Sequence, residues 1–172
     1  EIFDTTLRDG AQGEGISFSL EDKVNIARKL CRLGIDFVEA GNPGSNPKDM
    51  EFFRRAGELP AEHTQLVAFG ATRKKGISVE EDENCAALLS AGTLWVSIFG
   101  KSWDLHVRDV LRTTQEENLA MIRDTVRFLR QRGRRVIFDA EHFFDGYKRN
   151  AEYSLAVLRA AHEAGALIIN LC

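Results

Sequence analysis

An arginine and an aspartate lie side by side near the start of the sequence, directly after a short apolar segment. Residues 2–7 (Ile-Phe-Asp-Thr-Thr-Leu) are too few and too β-prone for a helix, so they predict a strand that Arg8 and Asp9 follow at once. A cation beside a carboxylate at the mouth of a strand is the leading candidate for chemistry in this chain. Spacing alone leaves an alternative open, because exposed loop ion pairs of this kind are common and contribute little to stability.

Further polar side chains fall at or near the ends of later predicted strands. They are Glu39, Lys101, Glu141 and His142, with Gln12 in the loop after the first strand. Glu39 lies in the apolar segment Phe-Val-Glu-Ala-Gly, where an unpaired carboxylate would be costly to bury, so we expect it to have a partner. No His-x-His or His-x-x-x-His spacing occurs, so His106 and His142 are expected to be loop or rim residues rather than metal ligands.

The elements that must position these residues alternate between short apolar segments and amphipathic ones. The apolar segments predict six strands, at residues 2–7, 37–40, 66–69, 94–99, 136–141 and 167–171. Between them, helical spacing predicts five helices; the first ends at Gly34, and the others lie near residues 47–59, 82–90, 114–132 and 150–164. Ser19 with Asp22 should cap the first helix, and Thr114 with Glu117 should form a capping box on the fourth. Four helices should end at a glycine, namely Gly34, Gly92, Gly133 and Gly165.

Six strands joined by five helices predict a parallel sheet, because parallel neighbours require a crossover of this length. An open doubly wound sheet and a closed TIM (β/α)8 barrel both satisfy this pattern. The loop after the first strand contains Gly10, Gly13 and Gly15, but not in the order of a dinucleotide-binding fingerprint. Polar residues gather where the strands end, as at the C-terminal rim of a barrel, and we therefore favour the barrel. A complete barrel has eight strands, so residues 1–172 are expected to form a partial barrel domain without strands 7 and 8 or a C-terminal regulatory domain.

The composition is that of an ordinary globular domain of 172 residues, 44% hydrophobic and 28% charged. No apolar run long enough for a membrane span and no signal-like opening are present, so a cytoplasmic protein without a membrane partner is expected.

The net charge is −3 and basic residues cluster only at residues 73–75 and 130–135, a weak basis for nucleic-acid binding. The second cluster should be the solvated C-terminal end of a helix. The scattered Cys31, Cys85 and Cys172 predict small buried side chains rather than disulfides or a zinc site.

Residues 4–12 (Asp-Thr-Thr-Leu-Arg-Asp-Gly-Ala-Gln) resemble the opening motif of the isopropylmalate, homocitrate and citramalate synthases and of hydroxymethylglutaryl-CoA lyase, the DRE-TIM metallolyases. In that family the arginine stabilises the enolate or keto oxygen, the next aspartate binds a divalent metal, and a glutamate on strand two holds the arginine. The resemblance implies these roles for Arg8, Asp9 and Glu39. It also implies a substrate-pocket or acid-base role for Glu141, with Gln12 near the same rim as a further substrate-binding residue.

Four more segments are similar to the citramalate synthase branch of this family: residues 10–15, 43–49, 98–106 and 138–147. Asn42 departs from that pattern, because an aromatic residue is expected there, and the departure bears on the size of the substrate. The branch implies a metal-dependent acyltransferase that condenses acetyl-CoA with a 2-oxo acid, first of all pyruvate, giving citramalate. Synthesis of 2-isopropylmalate or homocitrate is the alternative within the family, and it would change only the pocket for the 2-oxo acid.

The resemblance also implies cofactors and partners. The divalent metal would be Mg, Mn or Zn, and the family tends to form homodimers. The family's His-x-His metal pair belongs to strand seven and beyond, outside residues 1–172, so this chain by itself is expected to be inactive. Lys101 would either contact a phosphate of CoA or remain a solvated loop lysine. A hypothesis of a different class is a non-catalytic barrel fragment, which would gain support if no His-x-His segment followed residue 172 in the gene.

Overall fold

A computed structural model describes all residues from Glu1 to Cys172 and contains one sheet of six strands. The strands are β1 (Phe3–Asp4), β2 (Phe37–Gly41), β3 (Gln65–Ala71), β4 (Trp95–Lys101), β5 (Arg135–Glu141) and β6 (Ile168–Leu171). The helices are α1 (Leu20–Leu33), α2 (Pro47–Arg54), α3 (Glu83–Ser90), α4 (Asp104–His106), α5 (Gln115–Gln131), α6 (Phe143–Arg149) and α7 (Ala151–Ala164). Short 3-10 turns at Gly10–Gln12, Ala56–Glu58 and Val79–Glu81, and a π-helical turn at Val107–Leu111, lie in the connections.

The strands follow one another across the sheet in chain order from β1 to β6, and every neighbouring pair is parallel. A doubly wound sheet reverses its strand order at a switch point, whereas an unbroken order belongs to a TIM barrel. The architecture is therefore an α/β partial barrel, as predicted. No helix combines the length and apolar character that a bilayer crossing needs.

The ends of the helices follow local sequence signals closely. The Ser19 hydroxyl accepts a hydrogen bond from the Asp22 backbone N–H (3.1 Å), and the Asp22 carboxylate accepts one from the Ser19 N–H (2.8 Å), which completes the predicted capping box. The four predicted terminal glycines, Gly34, Gly92, Gly133 and Gly165, all adopt a left-handed backbone conformation with φ between 74° and 107°. Glycine adopts this conformation without steric cost because it has no Cβ.

The second predicted capping box is wrong in one half. The Thr114 hydroxyl accepts a hydrogen bond from the Glu117 N–H, but the Glu117 carboxylate does not return to Thr114. It accepts hydrogen bonds from Arg73 (2.8 Å) and from the Gly76 N–H (3.2 Å) instead. A charge-assisted bond to a buried guanidinium is stronger than a bond to a neutral backbone N–H, so the tertiary contact prevails.

Several predicted boundaries and counts also differ from the structure. The first strand covers only Phe3–Asp4, because the Asp4 carboxylate accepts hydrogen bonds from the N–H and hydroxyl of Thr6 and turns the chain out of the sheet. The predicted helix at 47–59 ends at Arg54 and continues as a 3-10 turn. There are seven α-helices rather than five, since α4 and α6 were not predicted. The phenylalanines, tyrosine and glycine of α6 are weak helix formers, so tertiary packing rather than propensity stabilises it.

Two surface assignments also need correction. Cys31 and Cys85 are buried as expected, but Cys172 is exposed where the chain leaves β6. Within the basic cluster at 130–135, Arg134 is not simply solvated, because its guanidinium donates hydrogen bonds to the carbonyl oxygens of Leu89 (3.0 Å), in the last turn of α3, and of Thr93 (2.9 Å), just beyond that helix. A guanidinium placed there adds hydrogen-bond donors to carbonyls at the C-terminal end of the helix, where the helix dipole is negative.

The inner face of the curved sheet changes from apolar to polar along the strands. Because side chains alternate between faces, residues two apart on a strand share a face. Phe37, Val67, Trp95 and Ile137 form an inner apolar cluster separate from the main core between strands and helices. Two residues further along the same strands, the inner positions are Glu39, Phe69, Ser97 and Asp139. We call this C-terminal, polar part of the inner face the mouth.

The capping box of α1 makes a direct stability prediction. Ser19→Ala removes a hydroxyl that satisfies one orphan N–H, and we expect it to lower the free energy of unfolding by about 1 kcal/mol in urea denaturation. Ser17→Ala is the matched control, since Ser17 is exposed two residues earlier and makes no side-chain hydrogen bond. Equal losses in the two variants would contradict the assignment of the cap.

Candidate active site

The three residues on which the sequence argument rests converge at the mouth. Arg8 Nε donates a hydrogen bond to Glu39 Oε2 over 2.5 Å, and Arg8 Nη1 donates one to Asp9 Oδ1 over 3.0 Å. The guanidinium carbon lies 3.9 Å from the centre of the Phe69 ring. The Arg8 cation is therefore fixed by a carboxylate on one side and an aromatic face on another, an arrangement that holds its direction without input from a ligand.

The local chain geometry presents Arg8 to the mouth. After β1 ends, the carbonyl of Thr5 accepts hydrogen bonds from the N–H groups of both Arg8 and Gly10, each over 3.1 Å. The 3-10 turn Gly10–Gln12 follows, and Gln12 is exposed above it. This tight turn places Arg8, Asp9 and Gln12 on the wall of one cavity.

Glu39 is completely buried, and only one of its two oxygens has a partner. Oε2 is bonded to Arg8, whereas Oε1 has no hydrogen-bond partner. Burial raises the pKa of Glu39 to about 7 even though the Arg8 cation opposes that rise. A carboxylate so poorly solvated depends on Arg8 for its charge, as the sequence led us to expect of a partnered glutamate.

Glu141 and Lys101 form the opposite side of the mouth. Lys101 Nζ lies 2.5 Å from Glu141 Oε2, and the side chains are 14% and 32% exposed respectively. Lys101 is thus an ion-paired residue at the end of β4, which excludes the description of a freely solvated loop lysine. The Glu141 carboxylate keeps access to the cavity, because it is only partly covered.

The space between these groups is a cavity of about 500 Å³, which we call the mouth cavity. Its walls contain the predicted residues Arg8, Asp9, Gln12 and Glu141, and also Phe3, Thr5, Phe69, Phe99, Asp139, Asn170 and Cys172. Phe69 and Phe99 stack with ring centres 5.4 Å apart and form its apolar side. A small ligand here would meet a cation, several carboxyls and one aromatic wall.

His106 and His142 lie together at the rim rather than in the mouth cavity. Their ring centres are 4.6 Å apart, and the Trp103 ring packs against both. Burial lowers the pKa of His106, and the neighbouring His142 acts in the same direction. These contacts agree with the expectation of rim residues, and neither imidazole lines the cavity with Asp9.

Comparison with known proteins places this geometry in a family. The HMGL-like family model matches residues 1–172. The chain belongs to the HMGL-like family. An (R)-citramalate synthase from Synechocystis sp. is 58% identical over 99% of this chain, and a 2-isopropylmalate synthase from Saccharolobus solfataricus is 33% identical over 99% of it. The greater similarity to citramalate synthases confirms the branch that the sequence motifs indicated.

The HMGL-like chain spans 31% of the length of the Synechocystis relative and 41% of the Saccharolobus one. Among solved structures, hydroxymethylglutaryl-CoA lyase from Pseudomonas aeruginosa superposes with a TM-score of 0.76 at 19% identity, covering 99% of this chain and 56% of that one. At this identity the likeness supports the barrel fold alone.

Sequence reasoning missed several side chains of this mouth, among them Phe69, Ser97, Phe99, Asp139 and Asn170. Phe3, Thr5 and Cys172 also line its cavity without having been assigned to the site. A signal for them was present, because strand alternation puts every second residue on the face of a known site residue. Counting back two residues from Glu141 on β5 gives Asp139. The chain's β-bulge at Glu39–Gly41 interrupts the same count on β2, so it works only on the regular strands.

The side chains of residues 1–172 do not form a metal site by themselves. No group of three His, Cys, Asp or Glu side chains lies within metal-binding range of one point. Asp9 is 63% exposed and shares one oxygen with Arg8, so it offers one free oxygen ligand. A divalent ion needs several protein or substrate ligands, and one carboxylate gives only weak binding.

The buried Glu39 should make the stability of the chain depend on pH. The pKa of this group is 4.5 in the reference state and about 7 in the fold, so between these values the folded state binds more protons than the unfolded state. The free energy of unfolding should then fall as pH rises through this window, by on the order of 2–3 kcal/mol from this group. Urea denaturation of the wild type and Glu39→Gln between pH 4.5 and 7.5 measures the difference.

Glu39→Gln cannot ionise, so the fall should be smaller in that variant. Glu51→Gln is the matched control, because Glu51 is half exposed in a surface ion pair with Arg54. If Glu39→Gln and wild type show the same slope against pH, Glu39 is not the buried group assigned here.

Proposed function

We propose that this chain forms the Arg8 side of the active site of a citramalate synthase, which condenses acetyl-CoA with pyruvate. The observation that carries the proposal is the Arg8 guanidinium, fixed at the C-terminal mouth of the barrel by the buried Glu39 over 2.5 Å. The choice of pyruvate over a larger 2-oxo acid is supported by the 58% identity to a citramalate synthase, against 33% for a 2-isopropylmalate synthase. The stacked Phe69 and Phe99 also favour a small substrate, because they fill one side of the mouth cavity.

In this proposal each residue of the mouth has a defined part. Arg8 supplies fixed positive charge where negative charge develops on the enolate or keto oxygen, and Glu39 keeps it in position. Gln12 and Glu141 contact the substrates, with Glu141 held by Lys101 in a substrate-pocket or acid-base role. Asp9 contributes one ligand to a divalent metal, Mg, Mn or Zn, whose other ligands lie outside residues 1–172. When bound, such an ion would polarise the carbonyl of the 2-oxo acid.

Acetyl-CoA and a small 2-oxo acid are the proposed partners, and neither nucleic acid nor a membrane has a place in the scheme. We further propose that the full-length protein is a cytoplasmic homodimer, because proteins of this family tend to form homodimers. Residues 1–172 correspond to one partial barrel domain of that protein.

The proposal predicts the effect of removing the Arg8 cation. In a protein extended to the length of its curated relatives, Arg8→Ala should lower kcat by roughly a hundredfold or more, because loss of one preorganised donor has an effect of this size. Release of CoA thiol with acetyl-CoA and pyruvate measures the rate. Arg54→Ala is the matched control, since the Arg54 side chain is 69% exposed on α2 and does not line the mouth cavity. A similar loss in both variants would show a general effect rather than a catalytic one.

The substrate is tested in the same assay with three 2-oxo acids. Pyruvate should give a higher kcat/KM than 2-ketoisovalerate or 2-ketoglutarate, with citramalate identified as the product. A preference for either larger acid would replace citramalate synthesis by the isopropylmalate or homocitrate alternative. Absence of turnover with all three would favour a non-catalytic barrel.

The incomplete ligand set predicts weak metal binding by residues 1–172. Titration with Mn²⁺ followed by electron paramagnetic resonance should give a Kd of about 1 mM or weaker, as expected of few oxygen ligands. Asp9→Asn should weaken it further, whereas Asp109→Asn, another half-exposed aspartate paired to a neighbouring arginine, should not. Micromolar affinity in the wild type would contradict this prediction and mean that residues 1–172 supply several metal ligands by themselves.

A further inference from the structure

Asp139 is a buried acid of the mouth that has no cation of its own. It is 5% exposed, on the inner face of β5, and its side chain lines the mouth cavity. Its one hydrogen bond is a long one, from the Asn170 amide to Oδ1 over 3.3 Å, and no protein group donates to Oδ2. An ionised carboxylate in such a place would lack the donors that a buried negative charge requires.

The cations that could balance Asp139 are already engaged. Arg8 is bonded to both Glu39 and Asp9, and Lys101 is bonded to Glu141. The charged or titratable groups that face Asp139 are therefore one shared cation, Arg8, together with acids on the neighbouring elements. Those acids are Glu39 on β2, Glu141 on β5 itself and the Cys172 thiol after β6. Two carboxyls around one already shared guanidinium cannot both ionise cheaply. Glu39 has a direct bond to that guanidinium and Asp139 has none, so Asp139 is the acid whose anion lacks a counter-ion.

The unpaired atoms around Asp139 point to the same conclusion. Ser97 on β4 is fully buried, and its hydroxyl oxygen has no hydrogen-bond partner; the same is true of Glu39 Oε1. Burial raises the pKa of Asp139, and this effect outweighs the Asn170 amide, the Arg8 cation and the Ser97 hydroxyl, which all act to lower it. The cluster therefore contains more hydrogen-bond acceptors than donors, and a proton on Asp139 would add a donor.

We propose that Asp139 is a neutral carboxylic acid at physiological pH and donates a hydrogen bond from its Oδ2 to an oxygen of the anionic 2-oxo acid. The inference rests on the proposed function for the identity of the ligand, while the protonation rests on the contacts alone. The neutral acid supplies the donor that the cavity otherwise lacks on this side. An ionised Asp139 would repel the carboxylate of the same substrate. Binding therefore requires the proton, and the affinity for the 2-oxo acid must weaken as pH rises through the titration of Asp139.

The protonation can be tested on residues 1–172 without any activity. Carbon-13 NMR of chain labelled at the aspartate carboxyls, with Asp139→Asn to assign the signal, should show the Asp139 carboxyl still protonated at physiological pH, as expected if burial raises its pKa far enough. Asp139→Asn is isosteric and neutral, so it should be at least as stable as the wild type at pH 8, where the wild type holds the penalised anion. An Asp139 carboxyl that is ionised at physiological pH, or a clear loss of stability in Asp139→Asn at pH 8, overturns the neutral acid.

The donor role is tested by the KM for pyruvate in the protein of full length. Asp139→Leu should raise that KM by about tenfold or more, because the substrate oxygen loses its partner. Asp139→Asn carries an amide donor, so it should recover most of this loss and remove the rise of KM with pH. Asp145→Asn, an exposed aspartate on α6, is the matched control and should retain the pH dependence of the wild type. The KM for acetyl-CoA should be unaffected in all three variants.

The outcomes separate this inference from the proposed function. If citramalate forms normally and Asp139→Leu leaves the KM for pyruvate unchanged, the donor role is refuted and the function stands. If Asp139→Asn raises that KM as much as Asp139→Leu, an ionised carboxylate rather than a donor is required there, which also refutes it. If no 2-oxo acid is turned over by the wild type, the proposed function and the donor role fall together, whatever the NMR titration gives.

Discussion

A fully buried glutamate inside a β-barrel has few ways to exist as an anion, and at Glu39 the solution is one guanidinium that enters from the loop after β1. Only Oε2 of Glu39 is bonded, to Arg8, and Oε1 has no partner. The pairing is therefore mutual: burial destabilises the Glu39 anion, and the same burial strengthens its attraction to Arg8 because the local dielectric is low. An arginine side chain held in this way keeps one direction, and the mouth cavity is organised around it.

The remainder of the barrel interior can be understood as the environment that makes this pair possible. Phe37, Val67, Trp95 and Ile137 close the inner face toward the N-terminal ends of the strands, and they exclude water from below Glu39. The polar residues then occupy the next inner positions, where the helices cannot cover them and a substrate can enter. Parallel strands bring all their C-terminal ends to one side, so a site assembled from β1, β2, β4 and β5 needs no long loop.

The same arrangement leaves more carboxyls than cations at the mouth. Arg8 forms ion pairs with Asp9 and Glu39, and Lys101 forms one with Glu141, whereas Asp139 has no ion pair. In a site for an anionic substrate, surplus negative charge would oppose binding unless protons neutralise it. Retained protons turn such acids into hydrogen-bond donors, and in this way an excess of carboxyls becomes compatible with the proposed recognition of a 2-oxo acid.

The sequence by itself determined the alternation of strands and helices, the caps of α1, the glycines that end four helices and the pairing expected for Glu39. These are local or nearly local properties, set by side-chain period, backbone freedom and the cost of burying a lone charge. Tertiary structure alone decided that Glu117 abandons its helix cap for Arg73, that α6 forms from weak helix formers, and that Lys101 pairs with Glu141. It also decided that Asp139 faces the cavity without a cation. Each of these depends on which residues, distant in the sequence, come into contact in the fold. The energy of a charged or packed contact between such residues exceeds the small local preferences that the sequence displays.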